Sequence, residues 1–381
     1  MAQVLRLVAL AALMLSVAGC GVSDNPVVKG PPTSNRLRVD RSGWRTDFSR
    51  HTLPLSEFES GGPPRDGIPP VDKPKPTSVA KADAWLSNAQ PVLVVDLGGQ
   101  ARAYPVEILL WHEIVNDRLG GRPIAVTYCP LCNSSLVFDR RVRGRTFSFG
   151  TTGNLRNSDL VMWDRQTQSW WQQLTGAALV GKLAGARLTV LPSQTLSWAD
   201  FKARYPHGDV LSRDTGVDRP YGTTPYDHYD RPDVPPFLFN GRTDHRLPPK
   251  ERVVAVFGRH DTTVYPFSRL ARDPVVDDDV GGAPVVVFYK HGVVSPLDQR
   301  NIADSRDIGT AAAFDRRLGG RALSFELRGG RFVDRETGSA WDITGRARSG
   351  RLRGHRLNPV RHDEQFWFAL AAFVPNAGVE K

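Results

Sequence analysis

Residues 103–132 have the sequence AYPVEILLWHEIVNDRLGGRPIAVTYCPLC, and this stretch decides how the chain is interpreted. Hydrophobic spacing predicts a helix from Val106 to Asp117, which would carry His112 and Glu113. A run of β-branched residues predicts a strand from Ile124 to Tyr128, and the tetrapeptide CPLC follows it directly. The side chains with the richest chemistry therefore lie at the ends of two neighbouring predicted elements.

The same stretch recurs further along the chain. Residues 86–128 match residues 247–289 at a constant offset of 161, and Tyr104-Pro105, for example, pairs with Tyr265-Pro266. Further pairs follow in order at offsets of 176, 170 and 169. A long ordered series of matches predicts two diverged tandem repeats.

The fold class follows from short runs of β-branched and aromatic residues bounded by glycine. They predict a mainly β (β-rich α+β) protein of short antiparallel strands with few helices. Predicted strands are Val92–Val95, Ile124–Tyr128, Leu136–Phe138 and Phe147–Phe149, and predicted helices are Val106–Asp117, Ser197–Arg204 and Gln365–Phe373. Gly144-Arg145 and Gly320-Arg321 are predicted hairpin turns.

Composition divides the chain into five predicted segments. They are a lipoprotein signal peptide (1–20), a tether (21–60), a first repeat unit with the His/Cys site (61–206), a Pro/Tyr-rich connector (207–245) and a second, degenerate repeat unit (246–381). Proline is too frequent from Pro220 to Pro236 for regular structure.

The first twenty residues predict where the protein is located in the cell. A short start containing Arg6 precedes an apolar run, residues 7–17, and small residues then lead to Cys20. This order is typical of a secretory signal. It ends like a bacterial lipobox, which predicts lipidation of Cys20 and an extracytoplasmic protein anchored to the membrane of the cell envelope. An ordinary signal peptide is the alternative.

The net charge and the number of cysteines limit the kinds of partner that we expect. The net charge is +10 and comes mainly from scattered arginine, which is typical of a solvated basic surface. Outside the cytoplasm the acidic neighbour of such a surface is a lipid headgroup or wall polymer, so we expect the membrane and no nucleic acid as partner. With Cys20 assigned to the lipid, only Cys129 and Cys132 remain of three cysteines.

The Cys129-x-x-Cys132 spacing has three interpretations. As a redox pair, one thiolate attacks a disulfide and the other resolves it, with a small thiol or a protein of the envelope as partner. As a metal site, the two thiolates bind a soft ion such as copper or zinc, with His112 as a further ligand. As a permanent disulfide, the pair only closes a tight turn.

A fourth interpretation is nucleophilic catalysis. Cys129 would be the nucleophile, His112 the base, and Glu113 or Asn116 the residue that orients the base. In the second repeat the positions of Cys129 and Cys132 hold Lys290 and Val293. Because the thiols occur in one copy only, we expect any site to lie in the first repeat.

Residues 149–158 form a second candidate segment, with glycines and many small hydrogen-bond donors. Such a segment suits a loop that approaches a ligand. The predicted ligand-loop residues are Asn116, Asn154, Arg156, Asn157 and Ser158.

These motifs together resemble the family catalogued as domain of unknown function 3179, in a bacterial lipoprotein member. The resemblance covers nearly the whole chain after the signal peptide. Its motifs are Asp66-Gly67-Ile68-Pro69-Pro70, Ala103-Tyr104-Pro105, residues 112–117 (HEIVND), residues 127–132 (TYCPLC), Asn157-Ser158, residues 162–165 (MWDR), residues 246–249 (RLPP) and Phe366-Trp367-Phe368. The resemblance implies that the DGIPP stretch is ordered, and it implies no established activity.

Two functions of different classes follow. The first is a thiol site at Cys129, helped by His112 and Glu113, that binds a soft metal or performs thiol redox chemistry. The second is a non-catalytic binding or structural protein of the envelope, in which a disulfide stabilises a turn.

Overall fold

The structure is a computed structural model that describes residues 28–29 and 39–380. The predicted signal peptide and the predicted lipidation site, Cys20, lie outside the described residues. Within the described part of the chain, no helix is both long and apolar enough to span a membrane.

The fold is mainly β, as the sequence predicts, with 41% of residues in strands and 10% in helices. The strands are β1 (Val28–Lys29), β2 (Arg50–His51), β3 (Glu59–Ser60), β4 (Pro76–Ser78), β5 (Pro91–Leu97), β6 (Gln100–Pro105), β7 (Ile114–Leu119), β8 (Arg122–Cys129), β9 (Ser134–Asp139), β10 (Arg141–Val142), β11 (Arg145–Thr146), β12 (Phe149–Arg156), β13 (Asp159–Asp164), β14 (Trp170–Gln172), β15 (Ala178–Val180), β16 (Thr189–Leu191), β17 (Gln194–Ser197), β18 (Asp209–Leu211), β19 (Arg252–Phe257), β20 (Thr262–Pro266), β21 (Val275–Val280), β22 (Ala283–Lys290), β23 (Thr310–Asp315), β24 (Arg317–Leu318), β25 (Arg321–Ala322), β26 (Phe325–Arg328), β27 (Arg331–Asp334), β28 (Ala340–Trp341), β29 (Ala347–Ser349), β30 (Asn358–Pro359), β31 (His362–Phe366) and β32 (Gly378–Val379). The helices are α1 (Val79–Ala82), α2 (Val106–His112), α3 (Trp198–Arg204), α4 (Phe267–Leu270) and α5 (Trp367–Phe373), with short 3-10 turns at Leu55–Glu57 and Ile302–Asp304.

These strands form three larger sheets in each half of the chain. In the first half the strand orders are β17-β5-β6-β18-β4, β16-β9-β8-β7 and β1-β2-β15-β14-β13-β12-β3. In the second half they are β31-β19-β20-β32, β21-β22-β23-β30 and β26-β27-β28-β29. The short hairpins β10-β11 and β24-β25 complete the set. Nearly all pairings are antiparallel, because tight turns connect most neighbouring strands.

The predicted helix Val106–Asp117 is wrong in its second half. Helix α2 ends at His112, and the backbone of Glu113 has a φ of 56°, which turns the chain out of the helix. Residues 114–119 then form β7, which pairs with β8. The β-branched pair Ile114-Val115 favours a strand, and apolar spacing over so few residues does not separate helix from strand. His112 and Asn116 therefore lie on different elements, helix α2 and strand β7.

Other predicted elements differ only in their ends. Helix α3 begins one residue later than predicted, since Ser197 is its N-cap and accepts a hydrogen bond from the Asp200 amide. Helix α5 begins at Trp367, two residues later than predicted, because Gln365 and Phe366 end β31. The strand predicted at Phe147–Phe149 begins only at Phe149.

Part of the predicted tether is packed into the fold. Strands β2 and β3 add to the edges of the seven-stranded sheet, where β2 pairs with β15 and β3 pairs with β12. Three apolar side chains of this segment are buried: Phe48, Leu55 and Phe58. Both phenylalanine rings contact Trp170 edge to face. Residues 39–60 are mostly polar, so these few apolar residues do not stand out in the sequence. Their burial favours packing of the segment against the sheet.

The connector predicted at 207–245 begins with β18, which joins the five-stranded sheet. After β18 the chain has no helix or strand until β19, in agreement with its proline content. In the described residues the two halves share two apolar clusters. Val92 and Trp198 of the first half join Phe288 of the second in one of them, and Leu136 joins Phe366 in the other.

Strand registers coincide between the halves at the offset of 161. Val92 pairs with Pro105 in β5-β6, and Val253 pairs with Pro266 in β19-β20. The duplication itself stays a prediction.

Candidate functional site

The two cysteines lie where β8 ends and the chain turns back into β9. Cys129 is the last residue of β8, and Cys132 lies in the turn that follows it. Both are buried free thiols, so the disulfide considered above is not formed. The Cys129 Sγ donates to the Ser158 carbonyl at 3.6 Å, and the Phe366 amide of β31 donates to the Cys132 carbonyl at 2.9 Å. Both halves of the chain thus hold this turn.

A third side chain, Asp159, reaches the thiols from the β12-β13 hairpin. Its two-residue loop, Asn157-Ser158, has positive φ at both positions (51° and 66°), which is a type I′ turn. Asp159 is fully buried at the start of β13. Its Oδ2 accepts hydrogen bonds from Gln172 Nε2 at 2.6 Å and from the Leu174 amide at 2.9 Å. Its Oδ1 accepts no hydrogen bond from a nitrogen or hydroxyl donor, and hydrogen bonding by the neighbouring Cys129 and Cys132 thiols partly offsets the effect of burial on the pKa of this carboxylate.

Cys129, Cys132 and Asp159 form one compact group, in which the two sulfurs and a carboxylate oxygen lie within 4.8 Å of one another. Burial raises the pKa of both thiols, and it raises the pKa of Asp159 to about 6. Burial has this effect because desolvation disfavours the charged form of each group. The site therefore has three ligand atoms that would each be stabilised by a cation.

Glu113 lies next to this group. It is buried, and its positive φ is unusual for a residue with a side chain. Burial and the nearby Asp159 raise the pKa of Glu113 to about 8. Its carboxyl group is therefore protonated at neutral pH and available as a hydrogen-bond donor.

A cavity of about 740 Å³ opens beside these residues. Glu113 and Leu131, which lies between the two cysteines in sequence, form part of its wall. The proline-rich connector forms the opposite side with residues 225–229 and 234–238. The Tyr229 hydroxyl donates to the Leu131 carbonyl at 3.1 Å, which ties the connector to the cysteine turn.

His112, the expected base and metal ligand, is engaged elsewhere. Its Nδ1 donates to the Pro69 carbonyl at 2.7 Å, and its Nε2 lies 2.6 Å from the Tyr221 hydroxyl. Because a carbonyl only accepts, Nδ1 carries a proton, and the neutral ring accepts from Tyr221 through Nε2. Burial lowers the pKa of His112 and favours this neutral form. The group formed by the two cysteines takes Asp159 as its third member, not His112.

The predicted ligand-loop residues have different surroundings. Asn116 on β7 is bound on both sides of its amide, since it accepts from the Phe149 amide and donates to the Phe149 carbonyl and to Asp72. Arg156 pairs with Glu57 at 2.7 Å. Asn154 lines the cavity, and the Asn157-Ser158 turn contacts the connector, where the Ser158 hydroxyl donates to the Phe237 carbonyl.

Sequence reasoning missed three contributors to the site: Asp159, Gln172 and the connector. Asp159 follows directly on the predicted ligand loop, and the shorter hairpin of the second half has no counterpart of it. The difference in length between the two hairpins is the sequence feature that could have indicated Asp159. Nothing local in the sequence of Tyr226 indicates that its ring lies near Glu113 and Cys129, both of which help burial to raise its pKa.

The fold and the site define a class: a mainly β protein with a buried dithiol and carboxylate beside an apolar cavity. The chain belongs to the family described as protein of unknown function (DUF3179), whose match covers residues 65–377. Neither the curated proteins nor the solved structures contain a significant match.

Proposed function

We propose that this protein binds a thiophilic metal ion through Cys129, Cys132 and Asp159. The observation that carries the proposal is Asp159 Oδ1, a fully buried carboxylate oxygen that accepts no hydrogen bond from a nitrogen or hydroxyl donor and lies beside two thiols. An unpaired buried carboxylate is costly unless a cation or a proton compensates it. A metal ion satisfies this oxygen and both sulfurs at once.

Zinc fits this donor set better than copper(I). Two thiolates alone suit copper(I), whereas zinc accepts both thiolate and carboxylate ligands. The three side chains would supply three of the four ligands that zinc usually takes. Gln172, which holds Asp159 Oδ2, would orient the carboxylate, as partners of metal ligands commonly do.

The test is zinc binding by metal-free protein, measured by competition with a chromophoric chelator. We expect one zinc ion per chain. Cys129→Ser should weaken binding at least about 100-fold, because it replaces a thiolate ligand by a neutral hydroxyl, and Asp159→Asn at least about 10-fold, because it replaces a carboxylate ligand by a neutral amide; loss of a partner outside the ligand set already costs about 10–100-fold. Asp363→Asn is the matched control, since Asp363 is another buried aspartate with a raised pKa, on β31, and is not part of the group.

Two results would contradict the proposal: a wild-type protein that binds no zinc, or an Asp159→Asn variant with unchanged zinc affinity. Copper(I) titration separates the two metals. If copper(I) binds through the thiolates alone, its affinity stays the same in Asp159→Asn while that of zinc falls.

Thiol redox chemistry is the second candidate, because both cysteines are free thiols at a three-residue separation. Their raised pKa values count against it, since the thiolate is the reacting form. Alkylation by iodoacetamide at pH 7 measures this directly. We expect slow modification of Cys129, and rapid modification would favour the redox function.

We also propose that the protein is held at the outer side of a bacterial cell membrane by a lipid on Cys20. The support is the order of residues 1–20 in the sequence. Fractionation tests it: the full-length chain should be found with membranes and Cys20→Ala should not. Equal membrane association of both would refute the anchor.

A further inference from the structure

The cavity beside the thiols has the size of a ligand site. Its volume of about 740 Å³ falls within the range of roughly 300–1,000 Å³ typical of small-molecule pockets. Ile68, Leu155 and Leu160 form the wall on the side of the first repeat, and the connector supplies prolines and aromatic rings opposite them. Most of the wall is therefore apolar.

The polar groups of the wall restrict the charge of a ligand. No lysine or arginine lines the cavity in the described part of the chain, whereas Glu113 and Asp227 do. An anion would meet these carboxyl groups, and the only basic side chain among the described lining residues is His228. The other polar side chains in the wall belong to Thr151, Asn154, Tyr226 and Tyr229, which are neutral hydrogen-bonding groups.

The mouth of the cavity carries a further apolar group. Phe237 is 48% exposed and lines the cavity, and it is one of two large hydrophobic side chains exposed in the described residues. Its amide donates to the Tyr229 hydroxyl at 3.2 Å, so the rim is tied to the wall. An exposed aromatic ring at the mouth of an apolar cavity is typical of a binding site.

We propose that this cavity is a binding site for an uncharged, largely apolar small molecule that carries a hydrogen-bond acceptor. The apolar walls bury its body, Phe237 covers it at the mouth, and the neutral side-chain amide of Asn154 in the wall can donate to its acceptor. The site does not depend on the proposed metal, since neither cysteine lines it.

A neutral fluorescent ketone, 6-propionyl-2-dimethylaminonaphthalene, is the probe. Its emission shifts to the blue in apolar surroundings. We expect saturable binding to the wild-type protein with such a shift. Leu155→Trp should weaken binding at least tenfold, because the partly exposed Leu155 has room to place a larger ring inside the cavity.

The matched control is Leu327→Trp, which adds the same ring to the corresponding hairpin of the second half at an exposed position. It should bind the probe like the wild type. Phe237→Ser provides a second disruption at the surface, where folding is not at risk, and should weaken binding several-fold. Cys129→Ser should keep probe binding even where it loses zinc, so failure of one proposal does not decide the other.

The charge requirement has its own test. Anionic 1-anilinonaphthalene-8-sulfonate, an apolar fluorophore of similar ring size, should bind at least tenfold more weakly than the ketone. Equal affinity for the anion would overturn the proposed ligand class. The absence of saturable ketone binding, or unchanged binding in both Leu155→Trp and Phe237→Ser, would overturn the site.

Discussion

The two halves of the chain keep the same buried polar contacts. Asp164 in the first half and Asp334 in the second are both fully buried at the end of a strand. Each accepts a hydrogen bond from the amide three residues later and from a tryptophan Nε1 seven residues later. The donors are Thr167 (2.6 Å) and Trp171 (2.9 Å) for Asp164, and Thr337 (2.7 Å) and Trp341 (2.9 Å) for Asp334.

The halves differ at the site. The hairpin that ends at Asp164 starts at Phe149, whereas the one that ends at Asp334 starts at Phe325, so the first is six residues longer. That extra length carries Asp159. The positions of Cys129 and Cys132 are taken in the second half by Lys290, which pairs with Asp200, and by the buried Val293.

This difference separates the residues that stabilise the fold of both halves from those that occur only at the candidate site. The strand pairing of β21, β22 and β23 forms without a dithiol, just as that of β7, β8 and β9 forms with one. The thiols and Asp159 are thus not needed by this arrangement of strands. Burial of the Asp159 carboxylate costs free energy that only a bound cation or a proton offsets.

The largest effect should come from the shared contacts. Asp164→Ala and Asp334→Ala each leave a buried tryptophan Nε1 and a half-buried threonine amide and hydroxyl without this acceptor, at about 1–3 kcal/mol for a buried donor and less for the half-buried ones. We expect each variant to lose about 2–4 kcal/mol of unfolding free energy, measured by urea denaturation. A large loss in one half and none in the other would show that the contacts are not equivalent.

Asp315→Ala is the control for these variants. Asp315 pairs with the largely exposed Arg317, and such surface ion pairs contribute at most about 1 kcal/mol.

Moving the two thiols to the second half tests this comparison between the halves. The double variant Lys290→Cys/Val293→Cys places two thiols at the matching positions of the second half, where the shorter hairpin has no counterpart of Asp159. In a Cys129→Ser background we expect its zinc affinity to stay at least tenfold below that of the wild type, by the same chelator competition. Zinc binding as tight as that of the wild type would show that the dithiol alone is sufficient.

The mainly β fold was predictable because it depends on local patterns, such as the runs around Val92–Val95 and Ile124–Tyr128. The cysteine pair was predictable for the same reason. Asp159 and the connector were not, because they reach the site through long-range packing that no local pattern encodes. His112 was predicted to lie within a helix that in fact ends at that residue, and its expected role in catalysis stays a prediction.

The smallest effect concerns Glu113 and is visible only as a pH dependence. Its pKa is about 8 in the folded protein and near 4.5 when unfolded. Between these values the unfolded chain releases a proton that the folded protein keeps. The contribution of protonated Glu113 to the free energy of unfolding is therefore fully present below about pH 4.5 and is lost as the pH rises towards 8.

Glu113→Gln removes this titration while keeping a neutral side chain of similar shape. Asp159, Asp363 and Glu364 also have raised pKa values, so only the difference between variant and wild type isolates Glu113. With a chelator present, urea unfolding at pH 6 and pH 7 should show the variant gaining stability over the wild type as the pH rises, by no more than about 1.4 kcal/mol over this one pH unit. A difference that stays constant with pH would mean that Glu113 is already ionised in the fold, and a neutral donor would then be missing from the cavity wall.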